Sequence, residues 1–126
     1  AGSLRTKELE SLLNANLRIL FYNGQYDLIC NHVSVEKGLE NLQWNGAKAY
    51  MNAAQDIWYA SSRDVTPAGY VRTSGPLSLL FVRDSGHMVP MDKPREALDM
   101  LNRFVKNKKM GDFTQALKTA TLSRPR

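Results

Sequence analysis

Two runs of this sequence, "LRILFY" at 17–22 and "LSLLFV" at 77–82, are apolar almost without a break. A surface helix or half-solvated strand shows polar gaps at its own period. A short run with almost none suits a strand covered on both faces, as parallel strands beneath helices are. Turn residues bound each run, Asn23-Gly24 after the first and Ser74-Gly75-Pro76 before the second. Two such strands about sixty residues apart, with helical patterns between them, point to an α/β class.

The segments around these runs fill in the order. Residues 5–14 read as a short helix with Leu9, Leu12 and Leu13 on one face, and Ser34 reads as the cap of a helix over 35–42. Over 47–60 the positions Ala47, Tyr50, Met51, Ala54, Ile57 and Trp58 recur at helical spacing, which predicts one long helix. "YVRT" and "LSLLFV" around the Gly-Pro turn read as a hairpin. Asp92 and Pro94 read as the start of the last core helix, with Ala97, Leu98, Leu101, Phe104 and Val105 inward. In the tail, Asp112 and Gln115 stand at capping-box spacing ahead of Phe113, Ala116, Leu117 and Ala120, a further short amphipathic helix.

Two or three strands do not close a sheet covered on both sides, because their edges need partners. The outer faces of Leu17, Ile19, Leu79 and Phe81 are expected to lack cover, so the chain reads as part of a larger sheet. Its 126 residues, 43 % apolar and 23 % charged, are enough for one domain with a core and exclude a disordered class. No apolar run reaches membrane-spanning length, and the N-terminus lacks a signal-peptide pattern. The net charge of +5 is concentrated late: seven Lys/Arg against one Asp follow from Arg103 onward. With no interleaved aromatics, this basic end reads as solvated and not as a nucleic-acid or membrane surface.

Asp27 follows the first run by five residues, and His87 follows the second by five. Sites in open α/β sheets lie beyond the carboxyl ends of the strands, so adjacent parallel strands bring both residues to one edge. An Asp there can accept the proton-bearing nitrogen of a His, fix its tautomer and stabilise the imidazolium. Acid before His is also the α/β-hydrolase order, although no G-x-S-x-G nucleophile motif occurs in the chain. On pattern alone a lone Asp in an N-G-x-x-D stretch is more often a turn residue and a lone His after a strand more often a loop histidine. A metal site lacks a third ligand at recognisable spacing. His32 reads as a solvent-facing or capping residue.

"FYNGQYDLICN" and "DSGHMVPMDKPREALDMLNRF" resemble the acid- and base-bearing signatures of the serine carboxypeptidases. "LQWNGAKAY…AGYVRT" resembles the vitellogenic-like carboxypeptidases especially. The resemblance covers about residues 10–107, taken as part of the catalytic domain within 1–107, with 108–126 a basic tail. It implies the C-terminal segment of an α/β-hydrolase fold, its sheet completed by an N-terminal part. Asp27 would be the triad acid and His87 the base. Ile29 and Cys30 would line the pocket for the residue before the scissile bond, and Met88 would face the leaving amino acid. The single cysteine, Cys30, excludes a disulfide within the chain and is expected to be a reduced pocket-wall thiol.

The resemblance also implies peptide substrates, no metal or organic cofactor, and a Ser-bearing N-terminal chain held by packing and not by a disulfide. The expected compartment is lysosomal, vacuolar or secreted. Alternatives within the fold are an acyltransferase or a hydroxynitrile lyase. In a different class stands a non-catalytic stabilising subunit.

Overall fold

The structure, a computed structural model, describes residues 5–25, 32–86 and 88–110, with the side chains of 32 and 33 left aside. The tail helix expected near 112–120 falls outside these residues. The elements run α1 (Thr6–Asn14), β1 (Ile19–Gly24), α2 (His32–Glu40), α3 (Ala47–Asn52), β2 (Gln55–Trp58), β3 (Gly69–Ser74), β4 (Leu77–Val82), α4 (Val89–Asp92) and α5 (Pro94–Val105). The described strands form one mixed sheet in the order β1-β4-β3-β2. β1 lies parallel to β4, as the two apolar runs predict, in a register from Ile19 opposite Leu77 to Gly24 opposite Val82. β3 and β4 form the expected antiparallel hairpin.

β4 is the central strand and explains its own composition. Leu77 and Leu79 point to one face, into a cluster with Leu13, Leu39, Leu42 and Tyr50. Leu80 and Val82 point to the other, into a cluster with Trp58, Val71, Val89, Ala97 and Met100. A residue of either parity is therefore buried, which is why the run has no polar alternation. The expectation that Leu79 lacks cover is wrong, because it is fully buried against the first cluster, whereas Leu17 is exposed.

The long helix expected over 47–60 is also wrong. The helix stops at Asn52, and Gln55–Trp58 form the edge strand β2, paired antiparallel with β3 from Gln55 opposite Arg72 to Trp58 opposite Gly69. Ile57 and Trp58 stand at helical spacing from Ala54 and Met51, so a four-residue strand is hidden inside the helical period. Pairing decides the issue. Trp58 fills the second cluster, and its indole N–H donates to Asp99 at 2.9 Å. The helix expected over 35–42 begins earlier, at His32, so Ser34 lies within it and is not its cap.

α5 buries a narrower face than its pattern predicts. Ala97 and Met100 are buried, whereas Leu98, Leu101 and Val105 are 62 %, 45 % and 72 % exposed. The Trp58–Asp99 bond turns the Asp99 flank of α5 toward β2. Asp99 and Leu98 are about 100° apart on a helix, and Leu101 and Val105 share the Leu98 side. Asp99, Met100, Arg103, Phe104 and Ala97 span the buried or half-buried face of α5, so the exposed stripe faces away from the described sheet. Arg18, just ahead of β1, reaches the C-terminal end of the helix, stacking on Phe104 at 5.1 Å and donating to its carbonyl. The exposed Tyr22 lies on β1, an edge strand with no described partner on its outer side.

Candidate active site

Because β1 and β4 are adjacent and parallel, the segments that follow them leave the sheet at the same edge. Gln25 continues the ladder, donating its N–H to the Val82 carbonyl at 2.9 Å, while its side-chain oxygen accepts the Asp84 N–H at 3.2 Å. Next to this bond the two segments also approach closely through their backbones. A Cβ placed on Gly24 would lie 2.0 Å from the Gly86 carbonyl oxygen and 2.5 Å from that of Ser85, so only glycine permits this approach. Ser85 is 1 % exposed, and its hydroxyl donates to the Gly86 carbonyl at 3.2 Å.

The second segment is held from its other side as well. The Gly86 N–H donates to the Asp92 carboxylate at 2.9 Å, closing the loop from 86 to 92, and the buried Val89 anchors its middle. Asp92, read from the sequence with Pro94 as the start of the last core helix, instead ends α4 and precedes α5. The residue at the α5 N-cap is Lys93, which makes no capping bond, and Pro94 follows it. Asp84 turns the chain out of β4 with φ +53°, a left-handed conformation that Asp tolerates better than most residues.

Asp27, Ile29, Cys30 and His87 lie outside the described residues. Their immediate neighbours do not: Asp27 comes two residues after Gln25, and His87 directly follows Gly86. Met88, the expected contact for a leaving amino acid, is 54 % exposed at the head of α4. A cleft of about 260 Å³ opens on the α2 face of the same edge, with Tyr70 and Phe81 among its lining and Gln25, Glu36 and Arg83 around them. Gln25, Ser85 and Asp92 were not singled out as site-framing residues. Gln25 and Asp92 act through hydrogen bonds across 59 and 6 positions and Ser85 through its approach to Gly24, for which the sequence carries no local signal. Gly24 did carry one, but as a turn residue.

Among the described residues, Arg72 on β3 is the hub of a partly buried charge cluster. Arg72 donates to Glu40 at 2.7 Å and to the Met51 carbonyl, and its guanidinium stacks on Tyr50 at 4.6 Å. The Tyr50 hydroxyl is buried without a hydrogen-bond partner, and burial pushes its pKa up to about 12 against the lowering effect of Arg72.

A mixed sheet with helices on both faces, whose adjacent parallel strands end in clamped loops at one edge, is an α/β domain with its candidate site at the carboxyl end. Residues 3–107 match the sequence model of the serine carboxypeptidases, and the chain belongs to that family. It is 46 % identical over 92 % of its length to the pheromone-processing carboxypeptidase KEX1 of Phytophthora infestans, of which it covers 19 %. It is 41 % identical over 76 % of its length to the venom serine carboxypeptidase of Apis mellifera, covering 20 % of that protein. The crystal structure of KEX1(delta)p, a prohormone-processing carboxypeptidase from Saccharomyces cerevisiae, superposes with a TM-score of 0.68 at 31 % identity. That likeness covers 81 % of this chain and 22 % of the yeast one. The chain thus spans about a fifth of the length of the relatives it matches.

Proposed function

We propose that this chain supplies the acid and base of a serine-type carboxypeptidase. Asp27 orients His87, and His87 takes the proton of a nucleophilic serine and returns it to the leaving amino acid, releasing one residue from a peptide C-terminus through an acyl-enzyme. The serine belongs to a further part of the α/β-hydrolase fold, held to this chain without a disulfide. Ile29 and Cys30 line the pocket before the scissile bond, and Met88 faces the leaving residue. The assembled enzyme works in a lysosome, a vacuole or outside the cell. Among the described residues no helix is long and apolar enough to cross a membrane.

The observation that carries this reading is the meeting of the two segments at one edge, Gly24 against Gly86, with Asp27 three residues beyond one and His87 next to the other. A second observation supports the need for more protein. β1 ends the described sheet with Tyr22 exposed, and α5 carries an exposed apolar stripe of Leu98, Leu101 and Val105. A parallel edge strand and an exposed apolar helix stripe are surfaces that a further strand and its helices would cover.

The test is fluorophosphonate labelling and turnover of a blocked dipeptide. The chain alone is expected to give no stoichiometric serine labelling, since it positions no nucleophile. In the assembled enzyme His87→Ala should abolish acylation, and Asp27→Asn should cost about 10⁴-fold with the fold intact. Near-normal turnover in either variant refutes the assignment.

A further inference from the structure

We propose that Asp92 is a positioning residue for the base. Its carboxylate holds the Gly86 amide and so fixes the backbone from which His87 departs. The proposal rests on His87 being the base, and it goes beyond the acid–base pair to ask what keeps that base in register.

Gly86 is held between two supports. On one side its carbonyl meets Gly24 at the end of β1, with no room for a Cβ between them. On the other its N–H is taken by Asp92 at 2.9 Å, from the junction of α4 and α5. A bond from a charged acceptor to a backbone N–H is among the stronger ones available. The loop it closes is short and anchored inside: Ser85 and Val89 are each 1 % exposed, and the N–H groups of Met91 and Asp92 both return to the Met88 carbonyl at 3.1 and 3.0 Å. Gly86 and Met88, the described residues before and after position 87, are thus each tied into this loop, Met88 through the carbonyl that closes the first turn of α4. Without Asp92, the described contacts at Gly86 are backbone packing against Gly24 and the Ser85 hydroxyl, and the loop could slide along the strand end.

A purely structural role is the competing explanation. Asp92 lies one residue ahead of the α5 N-cap, where its negative charge favours the helix. The two roles separate by substitution. Asp92→Asn loses the charge and keeps an oxygen that can accept the Gly86 N–H, whereas Asp92→Leu keeps the branched shape, is larger, and has no acceptor.

Both variants, with Asp92→Ala and His87→Ala alongside, are compared in the assembled enzyme. Measured are kcat and KM on a blocked dipeptide, the fluorophosphonate labelling rate of the serine, and Tm. Displacing a catalytic group by about 1 Å can cost on the order of 10²-fold. Asp92→Leu and Asp92→Ala are therefore expected to lower kcat and labelling rate by about that factor, with KM little changed. Asp92→Asn should recover to within about tenfold of the parent while its Tm falls as far as that of Asp92→Leu. The proposal is overturned if Asp92→Leu turns over within about threefold of the parent. It is equally overturned if Asn and Leu are impaired alike, which would make charge and not the hydrogen bond the cause. Normal turnover in His87→Ala would remove the base assignment itself, whatever the Asp92 variants do.

Discussion

Replacing Gly24 by alanine should damage catalysis far more than it damages stability. The new Cβ would lie 2.0 Å from the Gly86 oxygen, whereas ordinary contact begins near 3.4 Å. The segments must part by on the order of 1 Å, because the opposing atoms are main-chain carbonyls that no rotamer change can withdraw. Overpacking of this kind costs about 1–3 kcal/mol, a fraction of the roughly 5–15 kcal/mol that holds a domain together. The same displacement applied to a catalytic group costs about 10²-fold in rate. Gly75→Ala is the matched control. A Cβ added to Gly75 would meet nothing within 4 Å, but φ there is +54°, so alanine costs about 1–2 kcal/mol in backbone strain. The hairpin turn that holds Gly75 joins β3 to β4 at the end of the sheet remote from Gly86. Urea unfolding and dipeptide turnover of both variants in the assembled enzyme should show comparable destabilisation, with turnover lost only in Gly24→Ala. Wild-type turnover in Gly24→Ala would show that the close approach does not set the geometry of the site.

Tyr50→Phe should not destabilise the fold at neutral pH, because the hydroxyl it removes is buried and unpartnered and the ring that stacks on Arg72 remains. The folded-state pKa of Tyr50 is raised from 10.0 to about 12, so its contribution is fully present below pH 10 and is lost as the pH rises toward 12. Thermal melts at about pH 8 and about pH 11 should show a smaller alkaline loss in Tyr50→Phe, and an equal loss in both proteins would contradict the burial argument. The double substitution Leu98→Lys with Leu101→Lys falls on exposed positions and should change stability by no more than about 0.5 kcal/mol per site. It should nevertheless abolish co-elution with the Ser-bearing part. Unimpaired co-elution would mean that the α5 stripe is not the docking surface.

The sequence by itself determined the elements whose physics is local. The run at 77–82 could be read as a covered strand, and the Gly-Pro turn as a hairpin, because burial on both faces removes the polar alternation. The run at 17–22 marked a strand too, though β1 begins at Ile19 and leaves Tyr22 exposed. The signatures around Asp27 and His87 identified the family, because the motif residues lie contiguous in the chain. Tertiary structure decided the rest. Gln55–Trp58 became a strand because β3 offered an edge and Trp58 a pocket, a gain that no helical spacing within 47–60 could register. Leu98, Leu101 and Val105 kept an apolar pattern that α5 does not bury within the described domain. Asp92 carries the composition of a helix cap, yet it spends its carboxylate on Gly86, six residues back. Gly24 looked like a turn residue because turns are where the missing side chain is visible in sequence. Its need for no side chain arises from a carbonyl 62 positions away, brought there only by the parallel pairing of β1 with β4.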